Sequence, residues 1–175
     1  MWFKRFALLC SLLPLMCAPA RADSEQLASA LRIALPAAAA GTSLWKEDYE
    51  GLWQFGLSFA ASSATTLALK SAVDAERPDG SDNDSFPSGH ATNAFSAAAY
   101  LQRRYGWHYG APAYALASWT AVSRVNTGHH HWADVLAGAA IAVAFNQWLV
   151  DPQAPLQLAP VVLEDGLMLS GRVTF

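Results

Sequence analysis

The sequence predicts a mainly α-helical fold, a single-domain bundle of about five helices followed by a short C-terminal β-hairpin. Long alanine-rich apolar stretches, separated by clusters of Gly, Pro, Asp and Ser, indicate the helices and their breaks. Alternating apolar and polar residues near the C-terminus indicate the strands. The 175 residues, 53% of them hydrophobic, suit one domain with a single core.

Residues 1–22 have the pattern of a secretory signal peptide. Lys4 and Arg5 form a charged start, Phe6–Met16 is a short apolar segment, and Ala20-Arg21-Ala22 is a small-x-small cleavage site. We therefore expect export to the periplasm or another extracytoplasmic compartment. The apolar segment is short for a membrane span, and prolines interrupt it.

Cysteine and charge content exclude several classes of function. Both cysteines, Cys10 and Cys17, lie in the predicted signal peptide, so the mature chain is expected to have no disulfide or thiol chemistry. Cleavage removes three of the 11 basic residues and none of the 14 acidic ones. The acidic mature chain is not expected to bind nucleic acid, and no obligate protein partner is evident.

The remaining chain divides into a helical domain, residues 23–150, and a C-terminal extension, residues 151–175. Helical periodicity and breaker residues predict the elements in order. The predicted helices are Ser24–Leu35, Lys46–Val73, Ala91–Arg104, Ala113–Val122 and Trp132–Val150, with a polar loop over Asp74–Phe86 and a turn over Gly106–Pro112.

The C-terminal extension is predicted to form the β-hairpin. Leu167, Leu169 and Val173 alternate with polar residues, and Glu164-Asp165-Gly166 is a turn sequence. A lone hairpin is marginal in water. It is therefore expected to pack on the bundle, to pair with another subunit or to touch a membrane surface.

Membrane association cannot be decided from helix length alone. The apolar stretches Leu52–Leu69 and Val135–Val150 are at or below the roughly twenty residues that a span prefers, and they contain Ser, Thr, Asn and Gln. We expect a soluble or membrane-peripheral protein, with a minimal integral membrane form as the alternative.

Three short stretches, Lys70–Pro78, Pro87–His90 and Ser123–Asp134, contain the groups needed to bind and attack a tetrahedral oxyanion. Lys70, Arg77 and Arg124 supply cations suited to phosphate oxygens. Ser85 is predicted to cap a helix, which would place the backbone amides of Ser88, Gly89 and His90 in its first turn, where an anion binds favourably.

Two histidines have complementary predicted roles. His130 and Asp134 are four residues apart at the predicted start of a helix, so the carboxylate can orient the imidazole as a nucleophile or base. His90 is then free to protonate a leaving oxygen. A metal site at His129-His130-His131 is not expected, because consecutive side chains on a helix point in different directions.

These stretches, in this order and spacing, resemble the phosphatidic acid phosphatase type 2 and vanadium haloperoxidase superfamily over roughly residues 46–150. The resemblance implies that His130 is a nucleophile that becomes phosphohistidine, with Asp134 as its partner and His90 as general acid. Lys70, Arg77, Ser88, Gly89 and Arg124 match the phosphate-binding residues. The family needs no metal cofactor, and vanadate is expected to inhibit.

The predicted function is an exported, metal-independent phosphohydrolase acting on phosphomonoesters or pyrophosphates. Apolar and aromatic helices favour lipid substrates such as undecaprenyl pyrophosphate, phosphatidic acid or phosphatidylglycerol phosphate. The alternatives are a non-specific acid phosphatase on soluble phosphoesters, a vanadate-dependent haloperoxidase and a non-catalytic phosphate- or lipid-binding protein.

Overall fold

The computed structural model describes residues 3–153, 156–163 and 166–173, with side chains described for residues 23–153. The predicted mainly helical fold with a C-terminal hairpin is confirmed. The helices are α1 (Phe3–Trp45), α2 (Tyr49–Ala72), α3 (Gly89–Tyr105), α4 (Trp107–Asn126) and α5 (Trp132–Leu149), and the strands are β1 (Leu156–Leu163) and β2 (Gly166–Val173). The strands pair antiparallel, with Leu156 opposite Val173 and Leu163 opposite Gly166.

Helix α3 is the centre of the bundle and packs against the other four helices. Its buried face is built mainly from alanines, including Ala94, Ala97 and Ala98, all without exposed surface. Because these side chains are small, the neighbouring helices approach α3 closely. Tyr100 adds an aromatic contact to Phe55 of α2, with ring centroids 4.7 Å apart.

Hydrogen bonds between buried polar side chains cross the core from α2 to α3 and α5. They satisfy groups that would be costly to bury unpaired. Along α2 they run towards its C-terminal end, and the pairs are Ser58 with Asn146 at 3.2 Å, Ser62 with Ser96 at 2.9 Å and Thr66 with Thr92 at 2.9 Å. This row of contacts fixes the position of α2 along its neighbours.

A buried ion pair joins the elements at the end where α2 begins. Arg104 of α3 donates two hydrogen bonds of 2.7 Å to the carboxylate of Asp48, which precedes α2. Tyr105 also donates to Asp48, at 2.9 Å, and Arg104 reaches the carbonyl of Asp151 beyond α5. The hydrogen bonds from Arg104 are the main reason that the pKa of Asp48 falls from its usual 3.8 to about 2. We call this arrangement the Asp48–Arg104 clamp.

Helix α1 is longer than the sequence predicted. The expected end at Pro36 is wrong, because the helix continues to Trp45. Proline removes one helical hydrogen bond, but four alanines, excellent helix formers, follow it. Leu35 and Ala39 are also buried in the core. Packing and helix propensity together outweigh the lost bond.

Helix α4 begins earlier than predicted. The turn expected over Gly106–Pro112 is wrong, since α4 starts at Trp107 and contains Pro112. Gly106, with φ of 88°, supplies the sharp turn in a single residue. Gly110 then lets α4 pack directly on α3, because a Cβ there would lie 2.3 Å from Cβ of Gln102. Close packing, rather than local turn preference, determines the start of this helix.

The predicted signal-peptide cleavage site after Ala22 falls within α1. Cleavage there would leave Asp23–Trp45 as the first helix. By length and composition this segment is the one helix of the described chain that could cross a membrane, a test that a signal sequence near an N-terminus also passes. Beyond residue 153, only the backbone of the strands is described, so the packing of the hairpin falls outside the described residues. The division at residues 22 and 150 stays a prediction.

Candidate active site

A pocket of about 340 Å³ lies where the ends of four helices meet. Lys70 is in the last turn of α2, His90 in the first turn of α3 and Arg124 in the last turn of α4. His130 comes from the loop before α5. Residues distant in the sequence therefore meet at one end of the bundle, opposite the Asp48–Arg104 clamp.

The pocket brings together most of the residues that the sequence nominated. Six of the eight nominated residues line the wall of the pocket. Ser88 and Asp134 do not line it, but each contacts a residue that does. The six lining residues are Lys70, Arg77, Gly89, His90, Arg124 and His130. The structure brings these six together in one pocket, and their individual roles stay predictions.

The turn that begins α3 differs in detail from the expectation. Ser88, not Ser85, is the N-cap, and its side chain accepts a hydrogen bond from the Ala91 amide at 3.4 Å. The Ser88 amide donates to the Asp134 carbonyl at 3.0 Å and is not available to a ligand. The amides of Gly89 and His90 are in the first helical turn, where no helical carbonyl can satisfy them, and there they can bind an anion.

His130 is held by the end of α4 and does not lie on α5 as predicted. The backbone amides of His129 and His130 both donate to the carbonyl of Arg124, at 3.1 and 3.3 Å. Gly128, with φ of 80°, allows the chain to turn back sharply enough for these bonds. His130 is thereby fixed relative to Arg124, and α5 starts two residues later.

Asp134 contacts His130 and also has structural partners. Its Oδ2 atom lies 3.6 Å from Nδ1 of His130, beyond hydrogen-bond distance. The same oxygen accepts hydrogen bonds from the Ser85 hydroxyl at 2.5 Å and the His131 amide at 2.7 Å. Asp134 therefore caps α5 and holds the loop of Ser85, while keeping a carboxylate beside the imidazole.

The three predicted cations differ in their surroundings. Lys70 donates to the carbonyl of Asp84, and Nε of Arg77 donates to the Asp82 carboxylate at 2.6 Å. Arg124 is 5% exposed, and its Nε atom has no hydrogen-bond partner in the described part of the chain. Arg124 is thus the cation whose hydrogen-bonding capacity is least used.

Three pocket residues each carry a buried side-chain nitrogen without a hydrogen-bond partner among residues 23–153. These atoms are Nε2 of His90, Nε of Arg124 and Nδ1 of His130. Buried polar atoms in folded proteins are almost always paired, and an unpaired one costs about 1–3 kcal/mol. Nδ1 of His130 faces Asp134 behind the wall, so Nε2 of His90 and Nε of Arg124 are the two atoms that indicate a site built for a polar ligand.

Burial and positive charge keep the histidines of the pocket neutral. Burial, followed by the charge of Arg124, lowers the pKa of His130 to about 4 and that of His90 to about 3. Burial also lowers the pKa of Lys70 and of Arg124 from their usual values. The empty pocket therefore presents two neutral imidazoles beside fixed cations.

The pocket also contains residues that the sequence analysis missed. Ser63, Thr66 and Asn93 are neutral polar residues on helices, where nothing in the sequence separates them from ordinary core contacts. Arg32 had a visible signal, because it is a basic residue inside an apolar helical segment. These residues and Leu67 complete the wall of the pocket.

The groups in the pocket can bind a tetrahedral oxyanion next to a neutral histidine. Guanidinium groups and first-turn amides match the oxygens of such an anion, and a second histidine lies within the same wall. Among residues 23–153, no group of three His, Cys, Asp or Glu side chains is arranged to hold a metal ion.

Two solved structures have a similar fold. LpxE of Aquifex aeolicus has a TM-score of 0.65 and 20% sequence identity, covering 76% of this chain and 86% of that one. A transmembrane PAP2 type phosphatidylglycerolphosphate phosphatase of Bacillus subtilis has a TM-score of 0.53 at 20% identity, covering 84% and 94%. At this identity the likeness shows the fold.

Sequence comparison adds relatives at higher identity. Lipid A 4'-phosphatase of Helicobacter pylori is 35% identical over 132 residues, which cover 69% of this chain and 66% of that protein. Lipid A 1-phosphatase of Porphyromonas gingivalis is 38% identical over 82 residues, covering 43% and 18%. The chain thus spans just under two thirds of the first relative's length and about a fifth of the second's.

The family model of the PAP2 superfamily matches residues 51–151, more than half of the chain. The match runs from the start of α2 to the end of α5 and includes every residue that the sequence nominated for the site. Because a match of this extent coincides with the helices that build the pocket, the chain belongs to the PAP2 superfamily.

Proposed function

We propose that this protein is a metal-independent phosphohydrolase that cleaves phosphomonoesters or pyrophosphates of lipids through a phosphohistidine on His130. The observation that carries the proposal is a cationic pocket in which His130 lies beside the buried Nε2 of His90 and Nε of Arg124, two nitrogens without a hydrogen-bond partner among residues 23–153. A phosphoryl group supplies oxygens for such donors, and its transfer depends mainly on electrostatic stabilisation.

In the first step, neutral His130 attacks phosphorus while the bond from phosphorus to the leaving oxygen breaks. His90, protonated once the substrate is bound, gives its proton to that oxygen. Burial, followed by the charge of Arg124, lowers the pKa of His90, and the bound phosphate dianion favours protonation because it offsets that charge. Lys70, Arg77 and Arg124 stabilise the charge on the other phosphate oxygens.

In the second step, water attacks the phosphohistidine and the phosphorus–nitrogen bond breaks. His90, neutral after the first step, accepts a proton from this water, and inorganic phosphate leaves. His130 returns to its starting state. Asp134, 3.6 Å from Nδ1 of His130, stabilises the positive charge that the imidazole carries while it is phosphorylated.

A lipid substrate is supported by the outer surface of the bundle. Large apolar side chains are exposed on several helices, with Trp45 at 77% and Trp148 at 79%, while serines and an asparagine are buried. Polar residues inside and apolar ones outside are expected where the surroundings are hydrocarbon. The names of relatives from three organisms, lipid A 4'-phosphatase, lipid A 1-phosphatase and putative phosphatidate phosphatase, agree with this proposal.

We further propose that the protein is exported and associates with a membrane through this apolar surface. The charged, apolar and cleavage regions of residues 1–22 support export. N-terminal sequencing of the purified protein should find Asp23 first if the signal peptide is removed. Extraction of membranes with alkaline carbonate should leave the protein in the membrane pellet, and complete release would contradict association through an apolar surface.

Phosphate release from a panel of lipid and soluble substrates, with and without detergent, tests the activity. Lipid phosphates should be hydrolysed with detergent present, EDTA should leave the rate unchanged, and vanadate should inhibit competitively. Preference for soluble phosphoesters would support a non-specific acid phosphatase. Peroxidase activity that requires vanadate would support a haloperoxidase, and phosphate binding without turnover would support a binding protein.

The nucleophile is tested by trapping the intermediate. His130→Ala should abolish turnover and the acid-labile phosphate that forms on the wild-type enzyme. His108→Ala is the matched control, because that histidine is exposed on α4 and does not line the pocket, and it should retain both. Labelling that persists in His130→Ala would overturn the assignment.

A further inference from the structure

Arg32 contributes a fourth cation to the pocket from a part of the chain that the site sequences do not include. It lies on α1, before the segment that the family model matches. Its side chain nevertheless lines the same cavity as His90, Arg124 and His130. The charge of Arg32 also acts on His90, because it is among the causes, after burial and Arg124, that lower the pKa of His90.

The position of Arg32 on α1 is one that normally faces a core. Ala28, Leu35 and Ala39 share its helical face at spacings of three and four residues, and all three are buried. Arg32 itself is exposed and lines the pocket. A charge in an inward-facing row is costly unless water, a partner or a ligand compensates it.

Arg32 has no hydrogen bond or ion pair with another residue of the described chain. The other cations each have some compensation. Asp82 accepts a hydrogen bond from Arg77, a backbone carbonyl accepts one from Lys70, and the charge of Glu25 acts favourably on Arg124. The guanidinium of Arg32, like that of Arg124, therefore has hydrogen-bonding capacity left for a ligand.

Charge and space both exceed what one phosphate requires. A phosphomonoester carries at most two negative charges, and Lys70 and Arg124 match them without Arg77, which is paired with Asp82. A cavity of about 340 Å³ is at the lower end of small-molecule pockets and larger than a single phosphate group needs. A fourth cation at the wall, without a partner among the described residues, fits a substrate with a further anionic group near the phosphate that is cleaved.

We infer that Arg32 is a specificity-determining residue that binds a second anionic group of the substrate, a phosphate next to the one that is cleaved. The inference rests on the proposed function. Its chemistry is the paired hydrogen bonding of guanidinium to phosphate oxygens. The second phosphate can be joined to the first in a diphosphate or be attached elsewhere on the same headgroup.

Two substrate pairs test this role and distinguish the two sources. Farnesyl monophosphate and farnesyl diphosphate differ only in a directly joined phosphate, and mono- and bisphosphorylated forms of one glycolipid differ only in a distant one. The pocket should accept one of these two pairs. For the two-phosphate substrate of that pair, Arg32→Gln should lower kcat/KM about 10- to 100-fold, as expected for the loss of one charged hydrogen-bond partner. The fall for the single-phosphate substrate of that pair should be below about threefold.

Two further variants complete the design. Arg32→Lys keeps the charge without the planar fork and should recover part of the preference. Lys46→Gln removes a cation just after the C-terminal end of α1, away from the pocket. It should leave kcat/KM unchanged for all four substrates. Equal losses on single- and two-phosphate substrates in Arg32→Gln, or no loss on either, would overturn the inference.

A binding measurement separates this inference from the proposed activity. By titration calorimetry, wild type should bind either inorganic pyrophosphate or the bisphosphorylated glycolipid at least about tenfold more tightly than the matching single-phosphate compound, since one charged contact supplies that difference. Arg32→Gln should lose this preference. If wild type hydrolyses none of the substrates, the proposed function fails, while these affinities still decide the role of Arg32. Equal preference in wild type and Arg32→Gln would reject it.

Discussion

At the scale of single residues, the histidines of the pocket are held neutral by their surroundings. Neutrality suits His130 as an attacking group, because only the unprotonated imidazole is nucleophilic. It does not suit His90 as a proton donor until a ligand adds negative charge. Protonation of the acid is thus expected to accompany ligand binding.

Proton uptake on binding tests this coupling. In the empty pocket the pKa of His90 is about 3 and that of His130 about 4, so both are neutral near pH 6. A bound oxyanion raises both values, so binding should take up protons and weaken as pH rises. Calorimetry of vanadate binding in buffers of different ionisation enthalpy should show uptake of up to about one proton in wild type, and much less in His90→Gln. Proton release would contradict the scheme.

Two arginines of the pocket are expected to differ in their effect on turnover. Removing a donor to transition-state oxygens typically costs about 2–4 kcal/mol. Arg124→Ala should show the larger loss in kcat, because Arg124 is buried and its Nε has no partner within residues 23–153, whereas Arg77 is already paired with Asp82. Steady-state kinetics on a lipid phosphate measure both variants. If either variant keeps the wild-type kcat/KM, the arginine that it lacks does not bind the phosphate.

The sequence predicted which charged residues form the site. It predicted their local geometry less well. Lys70, Arg77, Arg124 and both histidines could be found because their chemistry is unusual among alanine-rich helices. The cap at Ser88 and the double use of Asp134 depend on hydrogen bonds between segments about fifty residues apart. Such partners are set by tertiary packing, which no local pattern encodes.

At the scale of elements, α5 packs against the first turn of α3 at a glycine. A Cβ on Gly138 would lie 2.7 Å from the Ser88 carbonyl and 2.9 Å from the Thr92 hydroxyl. This close approach sets the position of the turn that contains Gly89 and His90. The helix interface and the anion site are consequently coupled.

Gly138→Ala should therefore damage both stability and activity. Overpacking typically costs about 1–3 kcal/mol, and displacement of the α3 turn should lower kcat as well. The matched control is Gly56→Ala in α2, where a Cβ meets nothing within 4 Å; it should raise stability by about 0.5–1 kcal/mol. Thermal unfolding and phosphate release measure the two effects. A Gly138→Ala protein as stable and active as wild type would contradict the coupling.

The presence of a helix could be predicted where its sequence pattern was long. The residues at which helices begin and end could not be predicted. Helices α2, α3 and α5 agree with the sequence within a few residues because apolar runs and breakers coincide there. Pro36 and Pro112 misled the prediction, since both lie inside helices. Burial of α1 and α4 against α3 overrides the local preference of proline, and this contact is not visible in either segment alone.

At the scale of the whole molecule, the Asp48–Arg104 clamp and the pocket occupy opposite ends of the bundle. The clamp joins the start of α2, the end of α3 and the segment after α5. Its function is to hold helices together, and it contributes no atom to the pocket. Stability and catalysis can therefore be perturbed separately.

Asp48→Ala should destabilise the protein without changing the chemistry of the folded fraction. Loss of one partner from a buried ion pair typically costs about 3–5 kcal/mol. Because the pKa of Asp48 is lowered from 3.8 to about 2, its contribution is complete above pH 3.8 and is lost as pH falls towards 2. Denaturant unfolding at pH 7 and pH 3 measures this, with exposed Asp74→Asn as control. Equal stability of the two variants at pH 7 would rule out a stabilising clamp.

The alanine face of α3 limits how this enzyme can change over evolutionary time. Ala94, Ala97 and Ala98 fill their space completely, so a larger residue there would push neighbouring helices outward and spread the ends that hold the two histidines. Drift at these positions should be confined to glycine and serine. In a saturation library selected for activity, the least tolerant sites would thus include plain methyl groups far from the substrate, alongside the charged residues that contact it.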